Sequence, residues 1–178
     1  MKYFEIVKNP KIKRAPTIIN WYGHFDVRNI KLDTFAKLPE RELLIVEMTE
    51  KEIFTDFIMF PFLLISHEVK QVIEMYGDIC FCRQIILLNQ SNGTSEIYYL
   101  PVLDESDTMQ FYYKEFEDGT CLNGKQEQKQ VFNVDKNIFW ISDSLTRHTI
   151  ISMDMAESLL RRGMTGLELK EIVLYKEK

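Results

Sequence analysis

The chain has 178 residues, 46% of them apolar and 28% charged, with a formal net charge of −5. That length and balance suit one domain of ordinary size, hiding about 70% of its unfolded surface without disulfides or a metal, and they exclude a disordered chain, a collagen and a coiled coil. The mildly acidic total argues against a dedicated nucleic-acid binder.

The first eight residues lack the apolar stretch of a secretory signal, which points to the cytoplasm, and they read as a strand over 3–7. Residues 1–31 carry a net charge of +5, interrupted by Pro10 and Pro16. A terminal arm packed on an acidic middle accounts for this block as well as a nucleic-acid contact does. His24 and Asp26 are placed to meet on one face of a strand. Further strands are expected over 43–48 and 57–65; the latter, nine apolar residues including Pro61, is too short for a membrane span.

A helix follows Ser66. Val69, Val72, Ile73 and Tyr76 recur at helical spacing, Ser66 suits the N-cap, Glu68 the first turn and Gly77 the stop. Cys80 and Cys82 flank Phe81 in an extended run, so both thiols project from one sheet face. Free cysteines are mostly small buried hydrophobes, and with Cys121 the set reads as structural reduced thiols rather than a disulfide framework or a metal site. Asn92-Gly93 joins strands over 83–88 and 96–103 into a hairpin.

Residues 104–118 carry six acids against Lys114, a net of −5, interleaved with Phe111, Tyr112, Tyr113 and Phe116. Acids beside aromatics suit a surface that captures a basic partner, with charge steering the encounter and rings anchoring it. The plainer reading is a solvated loop around a 109–116 strand whose aromatics face the core. The candidate partner-binding residues are Asp104, Glu105, Asp107, Tyr112, Tyr113, Glu115, Glu117 and Asp118.

Beyond this block, strands are expected over 130–134, 138–141 and 167–175, with Ile141-Ser142-Asp143 opening a short helical turn. A second helix follows Ser152, with Met155, Ala156, Leu159 and Leu160 on one face, Arg161 and Arg162 at its end and Gly163 as its stop. Ile65-Ser66 to Leu87 and Ile151-Ser152 to Leu174 echo each other, each reading Ile-Ser, helix, Gly and apolar strand with the same Ser-to-Gly spacing, which a duplicated strand–helix–strand unit would give. Common capping chemistry explains the echo without duplication.

No phosphate loop, dinucleotide fingerprint, nucleophile elbow or zinc-protease motif is present, so no cofactor or metal is expected. Ser66 and His67 diverge by about 100° at a helix start and make no nucleophile–base pair. Gly163-Met164-Thr165-Gly166 shares only its two glycines with the phosphate-clamping loop of KH domains. The remaining enzymatic reading is a small enzyme or ligand-binding domain with a cleft near His24, Asp26, Asp143 and His148.

Phe62-Leu63-Leu64-Ile65-Ser66 with Val69, then Ile79 and Phe81, then Tyr98-Tyr99-Leu100-Pro101-Val102, form one half of a pattern. Ile138-Phe139-Trp140-Ile141-Ser142, Ile151-Ser152 and Gly166-Leu167-Glu168-Leu169 form the other. Together they resemble a family of bacterial immunity proteins from polymorphic-toxin systems, over about 110 residues from near Phe60 to near Ile172. The resemblance implies a non-enzymatic protein that binds and neutralises a cognate toxin domain. It transfers no catalytic residues. The expectation is a single α+β domain over 1–178, with a 1–56 N-terminal part and a 57–175 immunity-like core. Its fold would be a largely antiparallel twisted sheet with two main helices packed on it.

Overall fold

The computed structural model describes residues 1–8, 15–78, 80–106, 109–114, 130–131, 134–142 and 146–176. In chain order, β1 (Tyr3–Val7) and β2 (Thr17–Ile18) precede two 3₁₀ turns at Val27–Asn29 and Leu32–Lys37. Then come β3 (Arg41–Glu47), β4 (Phe57–Ile58), β5 (Leu64–Ile65), α1 (His67–Met75), β6 (Cys80–Asn89) and β7 (Ser95–Leu103). The remainder is β8 (Glu105–Ser106), β9 (Met109–Tyr113), β10 (Gln130–Val131), β11 (Ile138–Ser142), β12 (Arg147–Ser152), α2 (Met153–Arg161) and β13 (Glu168–Lys176).

The α+β class and the antiparallel bias hold, but the strands form two sheets where one was expected. One sheet has the order β2-β3-β6-β7-β5-β4; the other runs β10-β13-β1-β12-β11-β8, with β9 also paired to β13. Among the described residues only the β3–β6 and β11–β8 pairs are parallel. The 57–65 run is not one strand: β4 and β5 fold back on each other as a hairpin around Pro61, which has no N–H to continue a ladder. Ser142 ends β11 rather than starting a helix, and Asp143 lies outside the described residues.

The Ser-to-Gly echo is more than capping. Ser66 Oγ accepts from Val69 N, and Ser152 Oγ from Met155 N, at 3.3 Å in both cases. Each serine also closes a hairpin. Ser66 N donates to Asp56 O at 2.9 Å and Ser66 Oγ to Asp56 Oδ1 at 3.0 Å. Ser152 N donates to Asn137 O at 2.8 Å and Ser152 Oγ to Asn137 Oδ1 at 2.9 Å. So in both halves an Asp or Asn opens a hairpin, a serine closes it and caps the helix, and a strand returns to the same sheet.

The strand order repeats as well. The first unit runs β4-β5-β7-β6 and the second β11-β12-β1-β13, with β7 and β1 in the same antiparallel slot. Even the buried tyrosine recurs: Tyr3 pairs with Ser152, while Tyr98 precedes Tyr99, which pairs with Ile65. Each hydroxyl reaches the chain just ahead of its own hairpin, Tyr98 to Thr55 O at 2.5 Å and Tyr3 to Val134 O. Convergent caps do not require a shared strand order, a shared Asx–Ser clasp and a shared tyrosine. The two segments therefore share one structural arrangement.

Each unit braces the other. Asp56 Oδ2 accepts from Thr165 N at 2.7 Å, just past α2, and Asp78 Oδ2, just past α1, accepts from Asn137 N at 3.0 Å. This exchange explains the one chemical difference between the clasps. A carboxylate at 56 faces the donors of Thr165, whereas residue 137 already has the Asp78 carboxylate on its backbone and carries the neutral amide.

The helices touch each other, α1 packing on β7 and α2 on β12 and β1. Val69, Val72 and Ile73 of α1 and Met155, Ala156 and Leu159 of α2 are buried in a core shared by both sheets. Each large aliphatic side chain there contributes about 1.5–3 kcal/mol relative to exposure. A second, smaller cluster of Tyr3, Met109, Phe139, Ile141, Ile150, Ile172 and Leu174 lies on the other face of the second sheet.

Candidate functional site

The acidic segment begins where β7 ends. Asp104 O accepts from Trp140 N at 2.7 Å, and its carboxylate pairs with Lys136. Glu105 pairs in parallel with Trp140, bonds the Ser142 hydroxyl and forms a 3.0 Å ion pair with Arg147. Arg147 lies 4.3 Å over the Trp140 ring and donates to Ile30 O at 2.9 Å, so Glu105 helps tie β8, β11 and the N-terminal segment together. Both of these first two acids are thus ion-paired, Asp104 at the surface and Glu105 in a part-buried site. Asp107, Glu115, Glu117 and Asp118 lie outside the described residues.

Tyr112 and Tyr113 are consecutive on β9 and so project from its opposite faces, Tyr112 beside Tyr175 and Tyr113 beside Phe111; among the described residues β9 pairs only with β13. The two residues are 40% and 45% exposed, so the described part of the segment presents two aromatic side chains to solvent, one on each face of β9. Phe111 instead packs on the second core, as the plainer reading of the aromatics expects.

The Tyr113 hydroxyl donates to Glu5 Oε2 at 2.5 Å. Glu5 is 5% exposed on β1, and its Oε1 takes the Nδ1 proton of His148 at 2.6 Å. That leaves His148 Nε2 facing Thr146 Oγ1 at 2.9 Å, while Phe111 stands edge-on to the imidazole at 4.9 Å. Burial, then the Glu5 hydrogen bond and charge, push the Tyr113 phenol up to about 12. A hydroxyl, an imidazole and a carboxylate in series form a chain of the kind that fixes a histidine tautomer. The sequence reading had singled out His148 but not Glu5 or Thr146. The signal for Glu5 was a carboxylate among apolar positions in a short strand, which burial tolerates only with partners.

Of the proposed cleft residues, His24, Asp26 and His148 each have partners of their own, and Asp143 lies outside the described residues. His24 is not on a strand; its Nδ1 meets Glu42 Oε1 of β3 at 2.9 Å and its Nε2 meets Asn20 at 3.2 Å. Asp26 caps the first 3₁₀ turn and is bound by Arg28, whose hydrogen bonds hold the Asp26 carboxyl below its usual range. His24 and His148 thus have separate carboxylates on separate sheets.

Two other surface features stand out. The outer face of the first sheet carries an aliphatic patch: Leu43, Ile86 and Ile97 lie in one row across β3, β6 and β7, with Ile45 and Leu88 in the next. Leu43, Ile97 and nearby Ile19 are between 42% and 49% exposed. A groove of about 270 Å³ at the helix ends is lined by Tyr76, Asp154, Glu157, Ser158, Arg161 and Arg162. Its polar groups largely serve one another, Tyr76 donating to Asp154 O and the two arginines to Glu157 and Ser158.

Among the described residues no group of three or more His, Cys, Asp or Glu is arranged to hold a metal, and no helix is long and apolar enough to cross a membrane. Comparison of the chain with protein-family models, with curated proteins and with solved structures finds no match.

Proposed function

We propose that this chain is an immunity-type protein of the bacterial cytoplasm, binding a cognate protein toxin and blocking it stoichiometrically without catalysis. The observation that carries the reading is that Tyr112 and Tyr113, one on each face of a strand that among the described residues pairs only with β13, are both partly exposed within a stretch of net charge −5. Rigid aromatic anchors inside an acidic field are the composition of a hot spot for a basic partner. The aliphatic outer face of the first sheet offers further apolar surface to a protein partner. Direct nucleic-acid binding is not part of the proposal. The test is co-expression with the toxin encoded beside this gene, followed by measurement of the purified complex. Rescue of growth and a one-to-one complex support the reading; a toxin that neither binds nor is neutralised removes it.

The Thr146–His148–Glu5 chain favours a second reading, a small enzyme or ligand-binding domain using the imidazole. An activity or ligand lost on His148→Ala, with the toxin unaffected by the protein, would establish it instead.

A further inference from the structure

We propose that Cys80 and Cys82 are a redox pair that closes reversibly to an intramolecular disulfide when a hydroperoxide is present. The two thiols project from the same face of β6 with Sγ atoms 3.5 Å apart, while Phe81 between them turns the other way onto Phe35. Both cysteines are partly exposed, so small oxidants and alkylating reagents reach them. Alternate residues of a strand lie about 6.6 Å apart, at the upper end of the Cα separations that disulfides span. Closure therefore needs a local adjustment of β6 but no change of partner strand.

The hydrogen bond between the two sulfurs separates the thiols, and the groups facing the pair act on both alike. On α1, Lys70 brings an ammonium toward the thiols, while Glu74, ion-paired to it, opposes. On β7, Tyr99 lies beneath the Lys70 ammonium at 5.4 Å. The hydrogen bond shared between the sulfurs lets Cys82 lose its proton more readily and holds the other proton on Cys80. A thiolate with a protonated thiol in contact is the arrangement of an attacking and a resolving cysteine.

The chemistry balances in two steps. Cys82 thiolate attacks one oxygen of the hydroperoxide; the O–O bond breaks, the other oxygen leaves as hydroxide or alkoxide and takes up a proton, and Cys82 becomes a sulfenic acid. Cys80 Sγ then attacks Cys82 Sγ, the S–S bond forms, the S–O bond breaks, and the departing hydroxide takes the Cys80 proton to leave as water. The peroxide has gained the two electrons that the thiols lost.

The experiment uses the full chain with Cys121→Ser as background. Hydrogen peroxide is added, and thiols are counted by maleimide labelling and peptide mass spectrometry without reduction. The expected result is joint loss of both thiols, a mass lower by two hydrogens on the peptide holding them, a monomeric chain and full recovery with dithiothreitol. Cys80→Ser should stop at a sulfenic acid on Cys82, trapped by dimedone, and Lys70→Gln should slow Cys82 alkylation at neutral pH by about threefold or more. Disulfide-linked dimers, irreversible over-oxidation of one thiol, or equal dimedone capture at Cys80 in Cys82→Ser would each overturn the proposal.

Discussion

Ser152→Ala removes a hydroxyl that serves two neighbours at once. Ser152 is fully buried, and its Oγ accepts from the buried Met155 N and donates to Asn137 Oδ1. Loss of an N-cap costs about 1 kcal/mol. Leaving the Asn137 carbonyl unpaired in a part-buried site adds about 1–2 kcal/mol, so the variant should lose about 2–3 kcal/mol. Ser66→Ala perturbs the matching position of the other unit, but Ser66 is only partly buried, and Asp56 keeps the donors of Thr165 at 2.7 and 2.8 Å. It should cost about 1 kcal/mol. Urea unfolding at equilibrium, with unchanged slope, measures both. A Ser152→Ala loss under about 0.5 kcal/mol, or a larger loss for Ser66→Ala, would refute the claim that the clasp is a loaded joint whose strength follows its burial.

Gly166 has φ +87°, and a Cβ there would overlap Phe57 O and lie 2.9 Å from Thr55 Oγ1. Gly166→Ala should therefore cost about 3 kcal/mol by thermal or urea unfolding, whereas Gly163→Ala, with open space around it, should cost less. The Tyr113 phenol, near 12 in the folded chain and about 10 when unfolded, keeps its proton longer when folded. Its contribution is present below about pH 10 and lost as pH rises toward about 12. Tyr113→Phe should flatten that alkaline limb of a stability–pH profile; identical slopes would exclude the Tyr113 phenol as its cause. Arg147→Met should destabilise by about 3 kcal/mol, since it strands Glu105 in a part-buried site and removes the contact over Trp140. Finally, Tyr112→Ala should weaken toxin binding by at least about 2 kcal/mol with little change in melting temperature, as titration calorimetry would show. Charge reversal at Glu117 and Asp118 should reduce the salt dependence of binding.

Local chemistry made several elements legible in the chain alone. Ser66 and Ser152 cap helices because their hydroxyls meet the free N–H groups of a first turn, and Gly77 and Gly163 end them because they adopt positive φ at no steric cost. The β6–β7 hairpin around Asn92-Gly93 and the shared face of Cys80 and Cys82 followed from the two-residue period of a strand. Each of these rests on residues a few positions apart.

Other features depended on residues distant in the chain. Glu5 meets His148 across 143 positions, Asp56 meets Thr165 across 109, and β1 fills in the second unit the slot that β7 fills in the first. Strand pairing between remote segments is set by which apolar faces can be buried together, and a linear pattern does not record it. For the same reason the sequence determined an acidic, aromatic stretch at 104–118, while the tertiary structure paired Asp104 with Lys136 at the surface, paired the less exposed Glu105 with Arg147, and left Tyr112 and Tyr113 partly open to solvent. Composition sets the charge a segment carries; only the packed neighbours decide how much of it reaches a partner.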